Sequence, residues 1–227
     1  MQWINKLYLK HNEPVWIAGS SPSLDSYPDN FMDDKFSVVL HNAYLKFPNT
    51  DYRYANESPR IDEFKKNNPE YLDKKCIFAY PFYLRNQPLM EELIDLDNPN
   101  YYFLVLRPIP KKITDIVFLE KKIVQAKEGS AIDFGGYATC LHACMFATIM
   151  MGCREINIIG CDHAMDGDKQ HFSKADKFSR GWNYKTLGAI QEKGTTALMK
   201  ACENQGIKVR RFKNYEDCRL QLRDQSG

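Results

Sequence analysis

The sequence predicts a doubly wound α/β fold on a mainly parallel, Rossmann-like sheet. Three observations carry that reading: short apolar runs of strand length recur along the chain, helical stretches fall between them, and the runs end in polar or glycine-containing turns. Strands covered on both faces by crossover helices have no solvent face. They therefore lose the polar–apolar alternation and read as nearly continuous hydrophobic runs. Such runs alternating with helices are the pattern of a parallel sheet.

The first run, near 14–18, contains Val15-Trp16-Ile17-Ala18 and stops in Gly19-Ser20-Ser21-Pro22-Ser23-Leu24. This reads as a strand turning into a helix, with Ser21 as N-cap, Pro22 at the first helical position and Asp25 in the first turn. Backbone N–H groups left unpaired there, together with the hydroxyls of Ser20, Ser21 and Ser23, favour a phosphate. The second run, near 36–40, ends in His41-Asn42, and the third, near 52–56, in Asn56-Glu57-Ser58. Further strands are predicted near 75–79, 101–106, 155–160 and 207–212, with helices near 59–67, 87–95, 112–125, 135–151 and 187–205. Segment 80–130 is the least regular, because Pro81, Pro88, Pro99, Pro108 and Pro110 break it up.

Segment 135–151 is small and apolar nearly all round, which predicts a buried helix opened by Gly135-Gly136 and closed by Gly152. His142 lies in its middle among apolar neighbours and reads as a hydrogen-bonded core histidine. The following strand, Ile156-Asn157-Ile158-Ile159, ends in Gly160-Cys161-Asp162-His163. After it comes a long polar stretch anchored by Trp182, predicted as a lid over 164–185, since long loops in compact domains are usually functional or disordered.

With 227 residues, 44% of them hydrophobic, the chain suits one domain over 1–227 with no internal repeat. Disorder is expected only at the polar tail, 224–227. The formal charge of +2, from 31 basic and 29 acidic residues, gives no electrostatic case for a nucleic-acid partner. The seven cysteines show neither a CxxC pair nor clustered zinc spacing. Cys140 and Cys144 sit on adjacent turns of one helix, a poor place for a disulfide. A reducing, cytoplasmic setting is expected. The opening Met1-Gln2-Trp3-Ile4-Asn5-Lys6 lacks a signal-peptide core, and no apolar run is long enough to span a bilayer.

Open parallel sheets bind ligands outside the carboxyl ends of their strands, where strand order reverses. At the predicted ends stand Gly19, Ser20, Ser21, Asn42, Asn56, Asp162 and His163. A neutral amide reads ribose hydroxyls, base edges and phosphate oxygens without adding charge, so Asn42 and Asn56 suit a nucleotide. His171 is the candidate base, because an imidazole on a mobile loop titrates near neutrality. His163 is the second choice, and Arg180 or Lys177 would neutralise a leaving phosphate. Asp162, Asp166 and Asp168 could place one Mg²⁺, although the downstream glutamate of a calcium loop is missing.

Ile17-Ala18-Gly19-Ser20-Ser21-Pro22-Ser23-Leu24, His41-Asn42, Ala55-Asn56-Glu57-Ser58 and Met151-Gly152-Cys153-Arg154-Glu155-Ile156-Asn157-Ile158-Ile159-Gly160-Cys161-Asp162 resemble the bacterial lipooligosaccharide sialyltransferases. Gly135-Gly136 and Asp162-His163…His171-Phe172 are similar to a wider group that includes motility accessory factors and hydroxymethylpterin pyrophosphokinases. The resemblance covers about half the chain. It implies a nucleotide-binding, glycosyltransferase-like enzyme that uses a nucleotide sugar such as CMP-sialic acid to modify a surface glycan. It further implies that Gly19, Ser20, Ser21 and Ser23 line a phosphate loop, that Asn42 meets the ribose or base and Asn56 the phosphate, and that Thr139 and Cys140 lie near the base. Ser20 and Ser21 stand where the family has Asn and Gly. Ala164 replaces one of its tyrosines, and Gly188 and Ala189 occupy the place of its lid histidine. A Mg²⁺-dependent pyrophosphoryl transferase and a catalytically inactive nucleotide-binding protein therefore stay open beside it. The expected partners are a nucleotide-sugar donor and a glycan acceptor, with peripheral membrane association and a homo-oligomer both compatible; no cofactor is firmly implied.

Overall fold

In the computed structural model the described residues are 1–55, 58–80, 90–105, 113–130, 140–161 and 184–223. Their strands are β1 (Gln2–Trp3), β2 (Val15–Ala18), β3 (Ser37–Leu40), β4 (Tyr52–Ala55), β5 (Lys75–Tyr80), β6 (Tyr101–Val105), β7 (Glu155–Ile159) and β8 (Lys208–Arg211). They form one eight-stranded sheet in the order β1-β6-β5-β4-β3-β2-β7-β8, parallel at every pairing. The helices are α1 (Ser58–Asn67), α2 (Met90–Leu93), α3 (Ile116–Lys127), α4 (Cys140–Met151), α5 (Tyr184–Asn204) and α6 (Tyr215–Arg223). This is the doubly wound α/β architecture that the alternation of apolar runs and helices predicts.

The period of two along each strand divides its residues between two cores. Val15, Ile17, Val38, Leu40, Tyr52, Tyr54 and Ile77 point to the face covered by α3, α4 and α5. Trp16, Ala18, Val39, Ala55 and Phe78 point to the other, where α1, α6 and several 3₁₀ turns pack. β2, β3 and β4 are buried at every residue, which accounts for their lack of polar alternation. α4 is buried from Leu141 to Met151. Its apolar circumference is used within the chain, against α3, β2, β3, β4 and the 3₁₀ turn Ile4–Leu7.

Three local readings change. Pro22–Ser26 is a 3₁₀ helix rather than an α-helix; Ser21 stands at its N-cap, but the serine side chain makes no capping bond. Pro28 explains the short length, because a residue before proline avoids the helical region, and Tyr27 is extended at φ −84°, ψ 144°. β1 was not predicted, since two residues carry no periodicity. α6 was not predicted either, although its start is written in the sequence. Asn214 Oδ1 accepts from the Asp217 N–H at 2.9 Å, and the Asp217 carboxylate accepts from the Lys213 N–H at 2.9 Å. This is a reciprocal box of the capping type.

The Lys213 N–H bond, helped by Gln221, holds the Asp217 carboxyl below the usual carboxylate range. A carboxyl that ionises more readily folded than unfolded stabilises the fold above the unfolded pKa, and that stabilisation fades as pH falls through the folded value. Asp217→Ala should therefore cost about 1 kcal/mol at pH 7 in urea denaturation, and the gap from the parent protein should close as the pH drops below about 4.

Candidate functional site at the strand switch point

Starting from β2, the chain adds β3, β4, β5 and β6 on one side, then returns to place β7 and β8 on the other. Strand order thus reverses between β2 and β7, and the carboxyl ends of these two strands form the switch point. Registers Ala18↔Ile159 and Ala18↔Val39 bring the ends of β2, β7 and β3 to one rim. α4 packs over β2, β3 and β4. Because it leads down into parallel β7, it begins at the carboxyl rim.

The two central turns are locked together. The Gly19 N–H donates to the Ile159 carbonyl and the Ser21 N–H to the Gly160 carbonyl, each at 2.9 Å. A Cβ on Gly19 would lie 2.3 Å from both the Gly160 oxygen and the Cys161 sulfur. Gly160 has φ +60°, and its own Cβ would come within 2.6 Å of the Gly19 oxygen. Glycine is thus required at 19 for close approach and at 160 for both approach and backbone conformation. The expectation of a loop with unpaired N–H groups is corrected at Gly19 and Ser21: these donors join β2 to β7. The hydroxyl-bearing residues Ser20, Ser21 and Ser23 remain half-buried at or just beyond this rim.

On the neighbouring strand, β3 runs into the 3₁₀ turn His41–Leu45. Asn42 is only 3% exposed there. His41 has a left-handed backbone at φ 47°, uncommon for a residue with a side chain. Its Nε2 lies 2.7 Å from the Cys140 sulfur, which opens α4. Cys140 is half-buried, whereas the other six cysteines are buried, and none of the seven is in a disulfide. Burial pushes the Cys76, Cys153 and Cys202 thiols up to about 12 and the Cys144 thiol well above its usual value. His142 is buried and its Nε2 pairs with the Thr195 hydroxyl at 3.1 Å, as read from its apolar surroundings.

Of the sequence-predicted site, Gly19, Ser20, Ser21, Asn42 and Cys140 gather at the ends of β2 and β3 and the start of α4; Ser23 follows inside the 3₁₀ helix. Asn56, Thr139, Asp162, His163 and His171 lie outside the described residues, as do Asp166, Asp168, Lys177 and Arg180. The predicted lid lies outside them too, apart from the two residues that open α5. Among the described residues, no group of three His, Cys, Asp or Glu side chains is placed to hold a metal ion, and no helix is long and apolar enough to cross a membrane. A cleft of about 540 Å³ is lined by Asp25, Asp29, Asp33, Lys46 and Asn49 rather than by the switch-point residues. The pairing of His41 with Cys140 was missed by sequence reasoning, which took each residue separately.

No protein-family model matches the chain, and neither the curated proteins nor the solved structures contain a match to it.

Gly19→Ala should destabilise the protein by about 2 kcal/mol, within the usual cost of overpacking, because the atoms it meets are a carbonyl oxygen and a buried sulfur. Gly160→Ala should cost at least as much, since left-handed strain is added to the clash. Urea denaturation midpoints of the two variants check both.

Proposed function

We propose that the chain binds a nucleotide at the β2/β3/β7 rim and transfers the sugar of a nucleotide-sugar donor to a glycan acceptor. The observation that carries this reading is the glycine-locked switch point, with Ser20, Ser21 and the first turn of α4 at the same carboxyl rim. A helix of twelve residues presents first-turn N–H groups and the positive end of its dipole there, which favours phosphate oxygens. The motif resemblance to lipooligosaccharide sialyltransferases supports the donor class. In this reading Ser20 and Ser21 hold phosphate oxygens, while Asn56 and Thr139 complete the nucleotide contacts. His171 takes the proton of the acceptor hydroxyl as the new glycosidic bond forms and the bond to the nucleotide phosphate breaks.

A ligand that binds the folded state alone raises the melting temperature by mass action. CMP or CMP-sialic acid should raise it more than UDP, GDP or ATP in a thermal-shift series without added metal. Ser21→Asp keeps a good N-cap residue but sets a carboxylate against the phosphate, and should weaken the shift about tenfold or more in ligand concentration. His171→Ala should abolish turnover of CMP-sialic acid while leaving the nucleotide shift intact. No shift with any nucleotide, or an unchanged response in Ser21→Asp, would remove this reading.

A further inference from the structure

The ends of β3 and α4, 99 residues apart in sequence, place an imidazole against a thiol: His41 Nε2 lies 2.7 Å from Cys140 Sγ. The two residues differ from every other cysteine and histidine environment described. The remaining cysteines are buried, His142 is engaged with Thr195 in the core, and His11 pairs with Glu13 at 3.1 Å. Cys140 alone combines partial exposure, a histidine within proton-transfer distance and a place in the first turn of a helix. A thiol is activated by an adjacent base and by the positive end of a helix. The left-handed backbone of His41 is a further constraint on the same contact, since strained residues persist where the surrounding structure over-determines them.

We propose that Cys140 and His41 form a nucleophilic pair that accepts an activated acyl group, as from an ester or thioester, onto the Cys140 sulfur. The Sγ proton passes to His41 Nε2 as the sulfur attacks the carbonyl carbon. The S–C bond forms, and the bond from that carbon to the leaving oxygen or sulfur breaks. The leaving group departs with the electron pair and takes the proton from the His41 imidazolium. Backbone N–H groups of the first turn of α4 face the carbonyl oxygen as negative charge develops on it. Water then attacks the thioester carbon, with His41 as base; the carboxylic acid leaves and the thiol is restored. The pair acts without a nucleotide, so this chemistry does not depend on the donor-binding reading, although both use the first turn of α4.

The test uses the whole chain and para-nitrophenyl acetate with no nucleotide present. One equivalent of nitrophenolate should be released in a burst, and peptide mapping should place one acetyl group on Cys140. Cys140→Ser should lose both burst and adduct. The informative histidine variant is His41→Asn, because asparagine tolerates the left-handed backbone that alanine would strain; His41→Gly serves the same purpose with no side chain at all. Each should slow acylation about a hundredfold, the lower end of what a positioned base contributes, and added imidazole should restore part of the rate. Acetylation of another cysteine, or of none, in the unmodified protein would overturn the proposal without reference to any variant. So would a folded His41→Asn protein that acylates at the parent rate. A nucleotide shift that fails while the Cys140 adduct forms would count against the donor reading alone.

Discussion

The approach of two backbones at the centre of the sheet, Gly19 against Gly160, governs how the carboxyl rim is built. Parallel strands β2 and β7 end side by side, and any side chain at either glycine would push the following turns apart. Because neither carries one, the N–H groups of Gly19 and Ser21 reach the carbonyls at the end of β7. The sheet's hydrogen bonding is thereby carried beyond its last paired residues. The cost is that two donors in the serine-rich turn are spent on the fold. What they secure is a fixed place for the Ser20 and Ser21 hydroxyls beside the end of β3 and the start of α4.

A second constraint lies in the β3–β4 half of the sheet. Arg53 on β4 is 2% exposed, and a buried cation is costly unless its charge is offset; here the two terminal guanidinium nitrogens are bonded while Nε has no hydrogen-bond partner among the described residues. Its guanidinium donates to the Glu70 carbonyl at 2.6 Å and the Pro48 carbonyl at 3.2 Å. It also lies about 5 Å over the rings of Tyr44 and Tyr71, an arrangement favourable to a cation. Those contacts tie the segment after β3 and the 3₁₀ turn Pro69–Asp73 to the sheet. Tyr44 belongs to the same turn as His41, so a charge deep in one core helps to fix a turn at the rim.

The strands were legible because burial on both faces erases alternation and leaves short, nearly continuous apolar runs such as Val15–Ala18 and Ile156-Asn157-Ile158-Ile159; their length separates them from the longer, equally apolar α4. Pro28 was equally legible and limits the turn after β2 to five residues, yet the Ser-Pro start drew attention to a full helix. The α6 start needed a polar pair, Asn214 and Asp217, that a search for apolar periods passes over. The switch point itself follows from strand order, which no local pattern encodes; only the polar strand ends hinted at it. The contact between His41 and Cys140 was out of reach for the same reason, since it joins two elements through topology alone. Asn56, Thr139 and the part of the predicted site that follows β7 lie outside the described residues.

The same left-handed backbone occurs at two strand ends on this rim, at Gly160 and at His41. At Gly160 the cause is plain: a tight exit from β7 beneath the Gly19 carbonyl leaves space for glycine only. At His41 the chain also leaves a strand sharply, from an extended Leu40 into a 3₁₀ turn, but the residue carries a full side chain. A left-handed residue with a Cβ costs about 1 kcal/mol, a cost that glycine would avoid. Histidine's ring offsets it by reaching the sulfur at the head of α4, where a glycine would leave Cys140 without its imidazole. The conformation therefore marks 41 as a position whose side chain matters more than its backbone comfort, and the chemistry available to an imidazole beside a half-exposed thiol is proton transfer.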